Sequence, residues 1–164
     1  MDKSIKLLKS SEADKYYKRN KIYEYKFDYE KIYNLVKSSS LKAKSILEIG
    51  CADGRALNIY DKLLKPKYIY GVELSKKAVN EGRKKNKKIN FLRISSLEID
   101  KIKVDFDLII CGFFLYQLDK KHIFKQFDLI YKKLKDNGFL IIKDFDTLFS
   151  HTNYSVHNKK LKIF

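Results

Sequence analysis

The segment Glu48-Ile49-Gly50-Cys51-Ala52-Asp53-Gly54 places two glycines and an alanine beside two carboxylates within seven residues. Glycine at 50 and 54 lets the backbone turn sharply and lets a ligand approach the main chain without a Cβ in its path. A nucleotide-like cofactor suits such a loop. The dinucleotide fingerprint G-x-G-x-x-G is excluded, because its third glycine would fall on Arg55, and a phosphate-cradling loop ending in Gly-Lys-Ser/Thr is equally absent. Glu73 stands 23 residues beyond Gly50, at the end of an apolar run. A carboxylate there can accept hydrogen bonds from both hydroxyls of a ribose. Alone, Glu73 would read as an ordinary exposed glutamate at a helix start; its distance from the glycine loop gives it more weight.

Short apolar runs alternate with helical patterns and position these residues. Ser45–Ile49, Tyr68–Val72, Asn90–Ile94, Phe106–Cys111 and Phe139–Ile142 read as strands. Ala56–Leu64, a segment from the N-cap Ser75 to about Lys85, and Asp119–Leu134 read as helices, the last carrying Ile123, Phe124, Phe127, Ile130, Tyr131 and Leu134 at amphipathic spacing. His122 falls inside that helix as a structural residue. A further helix is expected over Phe27–Val36, and Asp136-Asn137-Gly138 is expected to turn the chain into the fifth strand. Nearly all-apolar strands alternating with helices imply a parallel sheet covered on both faces, hence an α/β, doubly wound fold. Ligands then bind beyond the carboxyl ends of the strands, just after Ile49, Val72, Ile94 and Cys111.

The motifs Glu48-x-Gly50-x-Ala52-x-Gly54, Gly71-Val72-Glu73 and Phe106 through Leu118 resemble the first, second and fourth motifs of class I S-adenosylmethionine-dependent methyltransferases. Leu134–Phe145, with Asn137-Gly138 before an apolar strand, is similar to that family's fifth-strand signature. The resemblance covers about residues 42–146. It implies a Rossmann-like methyltransferase fold with S-adenosylmethionine as cofactor. Gly50, Cys51, Ala52 and Gly54 would form the loop around the cofactor's methionine part, with Glu48 helping to hold its ammonium. Glu73 would bind the ribose and Leu74 pack on adenine. Ser95 and Ser96 stand where the family often carries an acid for the adenine amino group; a serine accepts that bond more weakly. Gly112, Phe113, Tyr116 and Gln117 would face the acceptor, although Phe113 and Phe114 also read as core.

Methyl transfer from a sulfonium is an in-line displacement, so the protein's main task is alignment and exclusion of water. A hydroxyl acceptor also benefits from a base. The candidates are Asp144, Asp146, His151 and His157, with Asp144, Tyr116 and His151 taken as the catalytic set. No metal-ligand cluster is visible in the sequence. The family's sheet continues with two more strands, and residues 147–164 are too short for a helix plus both. The expectation is therefore an N-terminal extension or cap over 1–26 and a methyltransferase domain over 27–164 that is C-terminally truncated. The open sheet edge would be shielded by pairing of two copies.

Composition narrows the partners. The 164 residues are 45% hydrophobic and 14% aromatic, enough to build a core, with no stretch resembling a membrane span or a secretory leader. Two cysteines 60 positions apart fit a reducing compartment, so the chain is expected to be cytoplasmic. The net charge is +16 (36 − 20), but only four of the 36 cations are arginine and lysine is spread through every segment. Nucleic acid is thus not the favoured partner, with Arg83–Lys88 the best patch for it. The expected acceptor is a small molecule such as a sugar or related metabolite. The alternatives are an RNA or protein acceptor, which lysines gathered beside the cofactor cleft would favour, and a non-catalytic cofactor-binding remnant.

Overall fold

The computed structural model describes residues 6, 8–21, 26–145, 153–155 and 158–163. Five strands, β1 (Ser45–Ile49), β2 (Tyr68–Val72), β3 (Asn90–Leu92), β4 (Phe106–Gly112) and β5 (Leu134–Lys143), form one parallel sheet in the order β3-β2-β1-β4-β5. The helices are α1 (Ala13–Asn20), α2 (Lys26–Ser38), α3 (Arg55–Leu64), α4 (Lys76–Lys85) and α5 (Ile123–Lys133). The architecture is the doubly wound α/β fold of the Rossmann-like methyltransferases.

Each strand supplies both faces of the core. On β4, Leu108 and Ile110 join Ile46, Leu57, Tyr60 and Phe91 on one side, while Phe106, Ile109 and Cys111 join Leu47, Ile99 and Ile130 on the other. Every residue of β1 is buried, which explains its unbroken apolar run around Glu48. From β1 the chain winds outward through β2 to β3, then returns to the other side of β1 with β4. The winding therefore reverses between β1 and β4, opening a crevice at their carboxyl ends.

Five elements differ in their boundaries from the sequence expectation. β3 stops at Leu92, whose carbonyl accepts from Glu73 N, and Ile94 lies beyond it. β5 begins at Leu134, opposite Phe106; the register then shifts, with Asn137 at φ 62°. Asp136-Asn137-Gly138 is thus a bulge within the strand rather than a turn before it. α5 starts only at Ile123, because Asp119 caps a separate 3₁₀ turn over Lys120–His122. α3 gains Arg55, and α2 extends from Lys26 to Ser38.

Near the N-terminus, a π-helical turn (Leu8–Glu12) leads into α1, which lies across the carboxyl ends of the strands. Near the other end, β6 (Asn153–Ser155) and β7 (Asn158–Ile163) pair antiparallel as a sheet of their own. Among the described residues β3 and β5 are the outer strands of the main sheet, and no helix is long and apolar enough to cross a membrane.

Candidate active site

A cleft of about 240 Å³ opens at the switch point. Its walls include Glu48, Gly50, Cys51 and Ala52 from the β1 exit, Glu73 and Leu74 from the β2 exit, Ser95 and Ser96 after β3, and Gly112 from β4. The two ends of the expected cofactor site are thereby brought together.

The loop after β1 is shaped by main-chain conformation. Gly50, Ala52 and Gly54 all have positive φ, at 77°, 49° and 74°. Gly50 N and Cys51 N both donate to Val72 O, which ties the loop to β2. At Ala52 a small side chain accepts the left-handed conformation at some cost. At Gly54 no Cβ is tolerated, since it would lie 2.5 Å from the Phe91 ring. Gly54 therefore faces the core behind the loop and is outside the cleft wall. The Cys51 side chain also turns inward: its Sγ would sit 2.5 Å from a Cβ at Gly71, so the residue offers the ligand mainly its backbone.

Glu73 bridges the two loops. Its Oε2 accepts from Ala52 N at 3.0 Å and its Oε1 from Ser75 N at 2.8 Å. Burial pushes its carboxyl up, against the lowering effect of the N–H groups of Ser75, Ala52 and Leu74. Two backbone donors fix the carboxylate plane, and each oxygen keeps a lone pair for a further donor.

Glu48 is the other unusual acid. It is 8% exposed, and its Oε2 is buried with no hydrogen-bond partner among the described residues. Burial, then the charges of Glu73 and Asp53, push its carboxyl up to about 8. A Cβ added at Gly112 would meet only Glu48 Oε1, at 4.0 Å, so the space above it is open. The nearby Asp53 is buried but paired, to Arg55 Nε at 2.9 Å and Lys85 Nζ at 2.5 Å. Burial opposes its charge, yet the bonds from Lys85 and Arg55 hold it below the ordinary aspartate range. The floor of the cleft is consequently acidic and lacks a cation at Glu48. A ligand carrying an ammonium supplies that missing charge.

At the end expected to take adenine, Ser95 is a helix cap: its Oγ accepts from Leu97 N, and its own N–H goes to Glu98. Buried Gln126 donates to Ser96 O and holds that turn from behind.

The residues expected at the acceptor side divide. Phe113, at φ 51°, and Gln117 line the cleft, the first beneath Lys143 Nζ at 4.5 Å from its ring centroid. Phe114 also lines it and packs against Gly50. Tyr116 and Asp144 lie beside the cleft rather than in its wall. The Tyr116 hydroxyl sits 2.6 Å from that of Tyr16, and burial pushes its pKa well above the ordinary phenol range, so it stays protonated. The Asp144 carboxylate accepts from the backbone N–H groups of Tyr116 and Phe145. His151, Asp146 and His157 lie outside the described residues.

Sequence reasoning missed several wall residues. His122, expected inside α5, instead precedes it and faces the cleft. Ala13, Tyr16, Tyr17 and Asn20 of α1, together with Tyr29 and Ile32 of α2, close the opposite side. No local motif marks them; the adjacent tyrosines of a Lys-rich helix were the one available hint.

The domain is thus doubly wound, with acids in the wall of the cleft at its switch point. Residues 47–140 match a family profile described as a methyltransferase domain, and the chain belongs to that family, whose cofactor is S-adenosylmethionine. A sugar N-methyltransferase from Streptoalloteichus sp superimposes with a TM-score of 0.68 at 19% identity, covering 85% of this chain and 57% of that one. An amino pentose methyltransferase of calicheamicin biosynthesis from Micromonospora echinaspora, solved with its cofactor bound, gives 0.68 at 14% identity over 79% and 55%. The plantazolicin methyltransferase, solved with a substrate analogue and S-adenosylhomocysteine, gives 0.67 at 20% identity over 89% and 62%. At these identities the likeness is one of fold, and this chain spans about 55–62% of their lengths. No curated protein sequence matches the chain.

Proposed function

We propose that this chain binds S-adenosylmethionine in the switch-point cleft and transfers its methyl group to a small-molecule acceptor, such as a sugar or related metabolite. The observation that carries the reading is Glu48, a buried acid whose Oε2 has no hydrogen-bond partner among the described residues, beside open space at Gly112. Glu48 would take the cofactor's ammonium, the Gly50–Ala52 backbone its methionine part, Glu73 its ribose hydroxyls, and Leu74, Ser95 and Ser96 its adenine. The cofactor supplies an electrophilic methyl on a sulfonium. The chain contributes binding, orientation and shelter from water, with α1 and its tyrosines over the cleft.

A small acceptor is favoured by the charge of the wall. Among the described Lys and Arg residues, only Arg55 and Lys143 line the cleft, and Arg55 is paired with Asp53. Lysines that recognised a phosphate backbone would crowd its rim. For the transfer step, Tyr116 offers a protonated hydroxyl, Asp144 holds the Tyr116 main chain, and His151 is a base candidate. Two buried unbridged thiols, Cys51 and Cys111, accord with a cytoplasmic setting. Two copies pairing along β5 would cover Phe139, Ile142 and Phe145, which are exposed on and just beyond it. Sedimentation would report that pairing, and a monomer at all concentrations would refute it.

Calorimetric titration with S-adenosylhomocysteine tests the main reading. Saturable heat is expected; silence up to millimolar ligand would refute it.

A further inference from the structure

α1 is fastened to the cofactor side of the sheet by a chain of hydrogen bonds that ends on Glu73. Asp14 Oδ1 accepts from Ser75 Oγ at 2.6 Å and from Lys77 N at 3.0 Å. Ser75 is itself buried and caps α4, its Oγ accepting from Ala78 N at 3.1 Å. The hydroxyl proton is thus committed to Asp14 and a lone pair to the helix, which fixes the rotamer. Ser75 N, in turn, donates to Glu73 Oε1, and Glu73 Oε2 accepts from Ala52 N. The series Asp14, Ser75, Glu73, Ala52 runs without a break from α1 to the glycine loop. α1 has other ties, Tyr16 to Tyr116, Tyr17 to Glu81, Lys21 to Glu81 and, from the preceding turn, Lys9 to Glu98, but none of these touches Glu73.

We propose that Asp14 is a positioning residue for the cofactor: acting through Ser75, it sets the orientation of the Glu73 carboxylate and thereby couples the seating of α1 to occupancy of the ribose site. The proposal rests on the reading of Glu73 as the ribose acid. A carboxylate with both oxygens held by backbone donors loses little freedom when a diol arrives; once Ser75 is released, that ordering cost falls on the ligand. Coupling of this kind is reciprocal, so ligand on Glu73 also steadies α1. The role of Asp14 lies in its acceptor atoms rather than its charge, and a neutral residue with the same acceptor oxygen can replace it.

The test is calorimetric titration of the full chain with S-adenosylhomocysteine, alongside amide hydrogen exchange over residues 8–21. Asp14→Ala is expected to weaken binding about tenfold, the scale of one lost hydrogen-bond pair. Asp14→Asn is expected to stay within about twofold of the parent, the precision of additivity arguments. Lys9→Ala and Lys21→Ala, which cut the ties outside the series, are also expected to leave affinity within about that twofold range. In the unmodified protein, ligand should slow exchange over 8–21, a readout that requires no variant to fold. Equal affinity of Asp14→Ala and parent, failure of Asp14→Asn to restore binding, equal losses in the Lys9 and Lys21 variants, or unchanged exchange each overturn the proposal alone. No binding by the parent, or unchanged binding by Glu73→Ala, overturns the cofactor reading and the proposal with it.

Discussion

The Glu73 carboxylate accepts the main-chain N–H of Ala52 at 3.0 Å, so the acid closing β2 is bonded directly to the turn closing β1. Two motifs 21 residues apart in sequence act as one ligand-facing surface. Strand pairing makes this contact possible: Ile49 lies opposite Val72, and both chains leave the sheet at the same level.

Glu73→Ala should weaken S-adenosylhomocysteine binding by about 10–100-fold, since it removes the acceptor for a diol and leaves the N–H groups of Ala52 and Ser75 without their partner. Calorimetry measures it directly.

Glu48→Gln should separate stability from binding. With its carboxyl raised to about 8 in the fold, Glu48 remains protonated where the unfolded chain ionises, so stability falls as pH climbs from the ordinary glutamate value of 4.5 towards 8. The amide removes that cost. The variant should therefore melt higher than the parent at pH 8, with the gap closing near pH 4.5, while binding S-adenosylhomocysteine more weakly.

Proton release tests the same group in the parent. An ammonium docked against Glu48 drives it to its ionised form, so binding at pH 7 should expel up to about one proton. Titrations in buffers of different ionisation enthalpy will reveal it; buffer-independent heat would show that Glu48 does not face the cation.

Gly54→Ala should destabilise the fold by about 2–4 kcal/mol, combining overpacking with a strained φ. The new methyl collides with the Phe91 ring, which also fills the space beside Gly82, so relief in one direction costs contact in the other. Chemical denaturation gives the value.

Asp144→Asn is expected to lower kcat by only about tenfold and to leave the Kd for S-adenosylhomocysteine unchanged, because the carboxylate is occupied with the backbone of Tyr116 and Phe145. A fall near a thousandfold, with loss of the acidic limb of the pH profile, would instead make it the proton acceptor.

Where chemistry is local, the sequence was readable. Gly50 and Gly54 are marked because positive φ leaves its trace in residue type, and Glu73 because it is an acid closing a strand, yet residue type did not tell that Gly54 meets Phe91 rather than the cleft. The bulge in β5 was not readable, since Leu134 and Lys135 continue a helical pattern and only their pairing beside Phe106 makes them strand. α1 was hidden for a similar reason. Its seat depends on Asp14 meeting Ser75, 61 positions away, and no spacing rule reports such a contact. His122 was placed in the helix body because periodicity cannot see the Asp119 cap that delays α5.

Among the described residues the tyrosines Tyr16, Tyr17, Tyr29 and Tyr60 border the cleft, and the sequence contains no tryptophan. Phenol emission from this chain is therefore undimmed by energy transfer to indole, and part of it arises at the cleft wall. Its intensity is a built-in optical gauge of occupancy, available without label or acceptor.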